Sequence, residues 1–203
     1  VSSPQAAPQT ATPTGEYRTM LTWRGEGTDR LEQVRLHVNG TRIKAYGRII
    51  AAATDTHEAF SASYELVTND SGVTKRLSIH LVQVSGETQF AINRDEEDHW
   101  LVHSPSGESI RSDFGGAQDV DLALSPMFNA LPIRRLGLSA GSGAAVEVPV
   151  VYVYLPQGTV EPATLSYTPK ADGVGVVSPV ANSTLSVDEN GFVIDYPGLA
   201  TRV

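Results

Sequence analysis

From residue 17 onward, apolar and polar positions alternate with the two-residue period of half-buried β-strands. The cleanest run is VTKRLSIHLVQV (73–84), where Leu77, Ile79 and Leu81 share one face and Arg76, Ser78 and His80 the other. YRTMLTWRG (17–25) predicts a short strand. Residues 31–53 predict a hairpin with Leu31, Val34, Leu36 and Val38 inward and Asn39-Gly40 as its turn. Another strand fills 59–70 and ends at NDSG. TQFAINRD and HWLVHSP predict two more, joined by the acidic DEED turn. AAVEVPVVYVYLP (144–156) places Val146, Val148, Val150, Tyr152 and Tyr154 on one face, with Pro149 marking an edge or a bulge. ATLSYTPK reads as strand, and residues 183–198 as a hairpin turning at Asn190-Gly191.

The period breaks once, at DVDLALSPMFNALPIRRLGL (119–138). Residues 125–136 alone look helical. Ser125 suits the N-cap, Pro126 the first helical position, and Pro132 forces a kink or a restart. The chain therefore predicts a mainly β domain over 17–203 with one or a few short helices. Its roughly nine or ten antiparallel strands must close, stack or curl to bury a face. Residues 1–16 read as a flexible tail; 1–15 hold three prolines and no charge. Both halves run hairpin, strand, Tyr-containing strand, without a residue-level repeat.

Composition narrows the function. With 40% apolar and 19% charged residues, the 203-residue chain is globular. Its net charge of −8 disfavours nucleic acid and anionic membranes as main partners, while leaving room for a local basic site. Twelve Arg and three Lys supply the cations. The absence of Cys removes disulfides, thiol nucleophiles and Cys-held metals. No apolar run approaches the roughly 20 residues of a transmembrane helix. If Val1 is the true start, the protein is cytoplasmic; if it follows a removed signal, the protein is exported.

The chemistry concentrates in 119–138. In a strand, Asp119 and Asp121 lie on one face about 6.6 Å apart, near the carboxylate spacing of retaining glycosidases. They equally suit partners for Arg134 and Arg135, or caps on the following helix. Either arginine could clamp a head group through its guanidinium fork. At most one aims into a pocket, because neighbours in a helix diverge by about 100°. His99 and His103 sit in a strand, about 13 Å apart, and cannot share an ion. RDEED (94–98) reads as a solvated turn, so no metal site is expected. There is no Walker lysine after SAGSGAA, no GxGxxG and no GxSxG. Enzyme motifs are thus absent and no cofactor is expected. The aromatics Trp23, Tyr46, Tyr64, Trp100, Tyr152, Tyr154, Tyr167 and Tyr196 suit either a core or a pocket for an amphiphile.

Three blocks together resemble the bacterial putative glycolipid-binding family: WRG at 23–25, DVDLALSPMFNALPIRRLGL at 119–138 and VDENGFVIDYPGLATRV at 187–203. Matching residues include Trp23, Arg24, Asp119, Asp121, Pro126, Asn129, Pro132, Arg134, Arg135, Asp195, Tyr196 and Pro197. Ala117 stands where a Cys is common in the family, which argues against an essential thiol. The resemblance implies a quasi-symmetric, barrel-like antiparallel sheet similar to the half-barrels of lipoprotein carriers, with a hydrophobic cavity for glycolipid. The expected function is non-enzymatic lipid or glycolipid binding. An acyl chain would fill the half-barrel, and Arg134 or Arg135, Asn129, Asp119, Asp121, Trp23, Tyr64, Tyr167 and Tyr196 are the candidate ligand contacts. Two alternatives stand beside it: a glycan or lipid hydrolase using Asp119 and Asp121, and an interaction module pairing through a sheet edge. Within 119–138, two acids against two arginines also predict a buried brace that shapes the pocket.

Overall fold

The two-residue period folds as β-strand almost everywhere it occurs. The structure, a computed structural model, describes residues 15–103 and 107–203. Eight strands come first: β1 Glu16–Gly25, β2 Arg30–Asn39, β3 Arg42–Ala51, β4 Phe60–Thr68, β5 Thr74–Gln83, β6 Gly86–Arg94, β7 Trp100–His103 and β8 Ser109–Ser112. Each pairs antiparallel with the next, forming a meander. Strand β3 shows why: Ile43, Ala45, Ile49 and Ala51 are buried, while Arg42, Lys44, Tyr46, Arg48 and Ile50 face out.

The second arm holds β9 Asp119–Leu122, β10 Val146–Val153, β11 Val160–Lys170, β12 Gly173–Val177, β13 Asn182–Val187, β14 Val193–Tyr196 and β15 Ala200–Arg202. Between β9 and β10 lie a 3-10 turn, Pro126–Asn129, and helix α1, Ala130–Arg135. Strand β9 runs parallel to β10, unlike the other pairs, which is why a crossover segment separates them. From edge to edge the order is β8 to β1, then β15 to β9. The first and last strands thus meet inside one open sheet.

That sheet curls instead of closing. The Thr74 N–H of β5 donates to the Gln118 carbonyl at 3.0 Å. The Trp100 indole of β7 donates to the Ala117 carbonyl at 2.9 Å. Both bonds bring the approach to β9 against the long arm. The mainly β, curved half-barrel expected from the sequence is the architecture found.

Inside the curve, Trp23, Leu36, Ile49, Leu66, Ile92 and Trp100 pack against Met127, Phe128 and Leu131 of the crossover. Each such side chain contributes about 1.5–3 kcal/mol when buried. The space expected to enclose an acyl chain is filled there by side chains. A second cluster under β10–β14 joins Ile133 to Val150, Tyr152, Leu165, Tyr167 and Tyr196.

Several elements differ from expectation. Among the described residues there are fifteen strands, six of them five residues or fewer, so that most of the added ones are too short to display a period. The first hairpin turns at Gly40-Thr41, one residue later than predicted; Asn39 pairs with Arg42, and Gly40 takes φ 57°. The predicted helix forms in two pieces. Starting α1 at Ala130 puts Pro132 in the first turn, where its missing N–H breaks no bond. Pro149 lies one residue outside the β9 pairing, so its edge character holds. The expected tail lies outside the described residues except Gly15 and Glu16, and Glu16 already opens β1.

Candidate functional site

All four residues of β9 are buried. Val120 and Leu122 join the large core, which turns Asp119 and Asp121 to the other side of the strand. Two residues apart, the aspartates meet different surroundings. Arg135 binds Asp119 through Nη2 at 2.5 Å and Nε at 3.4 Å. Burial raises the Asp119 pKa and the guanidinium opposes that rise. This pair is half of the predicted brace.

Asp121 has no such partner. Its carboxylate accepts the Leu122 N–H, and no side chain among the described residues hydrogen-bonds it. Burial pushes it up to about 8, and the charges of Asp119 and Glu32 add to that. At neutral pH it is therefore mostly a neutral acid, able to donate as well as accept. It lines a half-open hollow of about 320 Å³ with Ser125, Asn129, Tyr152 and Tyr196, walled by Leu124 and Leu199. That volume falls in the roughly 300–1,000 Å³ range of small-molecule sites. Leu124 holds φ 70°, a conformation that costs a non-glycine residue about 1–3 kcal/mol and is concentrated at functional sites.

A buried network backs the hollow. Glu32 Oε1 accepts the Tyr64 hydroxyl at 2.6 Å and the Ser125 hydroxyl at 2.5 Å. Burial pushes Glu32 up to about 7, against the pull of those hydroxyls and of Arg30. Ser125 is extended at the predicted N-cap position, but its hydroxyl serves Glu32 and caps nothing. Tyr64 reaches β2 by lying across Gly47 of β3; a Cβ there would stand 2.0 Å from its Cζ. Sequence reading missed Glu32. The signal was present: counting back by twos from Val34 places Glu32 and Arg30 inward, and Leu31 is 45% exposed.

The remaining candidates divide. Asp121, Asn129 and Tyr196 meet at the hollow. Tyr167 supports it, donating to Asn129 Oδ1 at 3.0 Å from full burial. Tyr64 and Trp23 are core residues, the latter donating its indole N–H to the Val193 carbonyl at 2.9 Å. Neither arginine reaches the hollow. Arg134 donates to the carbonyls of Asn190 and Gly40 and covers the Phe192 ring, tying two hairpin turns to the helix. Arg135 is held by Asp119 and borders a separate depression of about 190 Å³. The divergence of neighbouring helical side chains held, but the brace is one ion pair and not two, because carbonyls take up both Nη groups of Arg134. Asp119 is sealed behind Arg135, so the two aspartates do not share one cleft as a hydrolytic pair would require. Tyr152 and Ser125 are the hollow's additions to the sequence-derived set.

Elsewhere, Asp95, Glu97 and His99 converge on Arg111, whose Nη2 lies 2.9, 2.7 and 3.2 Å from them. The guanidinium occupies the position a metal ion would take.

Comparison with known proteins agrees with this architecture. A family model described as "Putative glycolipid-binding" matches residues 20–202. A crystal structure of a DUF1089 family protein from Pseudomonas aeruginosa superposes with a TM-score of 0.65 at 23% identity, covering 100% of both chains. That likeness is one of fold. No curated protein matches. No helix among the described residues is long and apolar enough to cross a membrane.

Proposed function

The chain belongs to the "Putative glycolipid-binding" family, and on that premise we propose that it binds a glycolipid without catalysis, seating the sugar head in the Asp121 hollow. One observation carries the reading: a buried carboxyl with no side-chain partner among the described residues faces a hollow lined by hydroxyls and an amide. A neutral Asp121, Tyr152, Tyr196, Ser125 and Asn129 offer the mixed donors and acceptors that sugar hydroxyls need. Leu124, Val180 and Leu199 give the first methylenes an apolar wall, each buried CH₂ contributing about 0.8 kcal/mol.

The same lining selects the head. Among the described residues it includes no Lys, Arg or His. A phosphate or sulfate would find no countercharge and would face Asp121, so an uncharged glycosyl head fits best. Calorimetric titration with octyl glucoside and with octyl phosphate, both below micelle formation, tests this. We expect the glucoside to bind and the phosphate to fail. Asp121→Leu should abolish glucoside binding while the circular dichroism spectrum stays unchanged. Equal binding of the two amphiphiles, or full glucoside binding by Asp121→Leu, would remove the hollow from consideration.

A further inference from the structure

The outward face of β1–β3 departs from the rest of the molecule in charge. It carries Arg18, Arg24, Arg35, Arg42, Lys44 and Arg48 against one carboxylate, Glu16. The inward Arg30 and Glu32 cancel each other. These strands therefore hold +5 in a chain of net charge −8, which leaves −13 elsewhere. Glu16 is taken up by Arg18 and His37, and Arg42 pairs with Asp70. Arg24, Arg35, Lys44 and Arg48 form no ion pair among the described residues.

Apolar side chains stand between those cations. Met20 and Ile50 are 58% and 56% exposed, and Leu31 and Tyr46 are exposed beside them. Cross-strand register aligns them in two rows, Met20–Arg35–Tyr46 and Arg24–Leu31–Ile50. Arg35 and Lys44 both lie over the Tyr46 ring, 5.7 and 5.4 Å from its centroid. Arg24, Arg30, Leu31 and Ile50, with one carboxylate, Asp29, also border a groove of about 300 Å³ at the β1–β2 end of this face.

We propose that the β1–β3 face docks the protein on an anionic lipid bilayer. Long basic side chains reach headgroup phosphates and carboxylates, while Met20, Leu31 and Ile50 enter the boundary between headgroups and acyl chains. Charge selects this occupant over a symmetric second copy of the chain, whose same face would meet it with like sign. Side-chain type favours it over nucleic acid. Single-stranded bases stack on aromatics, whereas Tyr46 is covered by its own cations and the other exposed apolar side chains, Met20, Leu31 and Ile50, carry no ring. The chain's remaining negative charge orients the molecule with this face toward the membrane.

Co-sedimentation of the full chain with vesicles tests the proposal. One set is pure phosphatidylcholine; the other contains roughly a third phosphatidylglycerol, since basic residues respond to anionic lipid. Binding is expected only to the anionic set, and is expected to be lost at about 0.5 M salt, where screening shortens the Debye length. Each cation near an anionic surface is worth about fivefold in affinity, so Arg35→Gln/Lys44→Gln/Arg48→Gln should weaken binding about a hundredfold. Met20→Ser/Ile50→Ser should weaken vesicle binding while leaving any retention on heparin unchanged. All five positions face solvent, and a circular dichroism melt checks the fold of each variant. No binding to anionic vesicles, equal binding to both sets, or vesicle binding indifferent to Met20 and Ile50 would overturn the proposal. The last result would identify a general polyanion surface. Octyl glucoside titration of the same variants is read separately, so the hollow and the face stand or fall independently.

Discussion

The β1–β8 arm and the β9–β15 arm belong to one sheet but are built differently. The long arm pairs each strand with the next over mostly nine- or ten-residue runs. Its inward positions are nearly all apolar, with Arg30, Glu32, Thr68 and Thr74 as the buried exceptions. The short arm contains the parallel strand and the crossover. Asp119, Asp121, Ser125, Asn129 and Arg134 are all buried within sixteen residues of it. Regular pairing supplies a rigid wall. Polar chemistry is lodged where regularity is given up, and it persists because the wall over-determines it.

The contrast can be broken at several points. The largest effect is expected from Arg135→Leu, which strands a buried Asp119 carboxylate. Removing one partner of such a pair costs about 3–5 kcal/mol, against near zero for the exposed Arg48→Leu. Chemical denaturation of both variants compares them directly, and similar midpoints would show that the short arm does not depend on its ion pair. Next is Gly47→Ala, a change to the long arm's wall. Its Cβ would enter the Tyr64 ring, and overpacking of this kind costs about 1–3 kcal/mol. Relief by Tyr64→Leu in the same chain would assign that cost to this contact.

A third test is a slope against pH. Burial holds Glu32 at about 7 and Asp121 at about 8, both above the unfolded carboxylate value. The folded state therefore keeps protons that the unfolded state releases. Stability from these two groups is complete below about pH 4 and is lost as pH rises through about 7–8. Asp121→Asn should flatten the fall in melting temperature between about pH 4 and 8; an unchanged slope would mean Asp121 is already ionised. The smallest effect is expected from Ser125→Ala, which removes one hydroxyl from Glu32 at a cost of about 1 kcal/mol.

Much of this contrast was legible in the residues. Alternation located the long strands, and the dense charge of 119–138 marked the irregular segment. What was not legible follows from the range of the information. Of the strands of three or four residues, β7 and β14 lay inside longer apolar patterns and were found, whereas β9 and β15 had no such flanks and were not assigned as strands. The phase of β2 was misjudged because Leu31 looked inward and Glu32 outward; an apolar preference for burial outweighed the stricter rule of alternation. The brace was half foreseen. Local charge counting found Asp119 with Arg135, but the Nη groups of Arg134 donate to carbonyls 56 and 94 residues away, a choice that no local pattern encodes. The hollow combines β9, β10, β13, β14 and the loops around them, so only Asp121, Asn129 and Tyr196 stood out beforehand as contacts, with Tyr152 among the aromatics suited to a core or a pocket.

The pairing of β1 with β15 has a consequence for biosynthesis. Translation delivers β1 through β14 in order, and the long arm can assemble hairpin by hairpin while the rest is still being made. Residues 200–202 supply the pairing between the two arms and come last of the fifteen strands. Trp23 and Arg30 of the first strands wait for the carbonyls of Val193 and Leu199 across more than 160 residues. The sheet thus becomes continuous only once β15 has been made and is in place, as a row of stitches is drawn tight by its last thread.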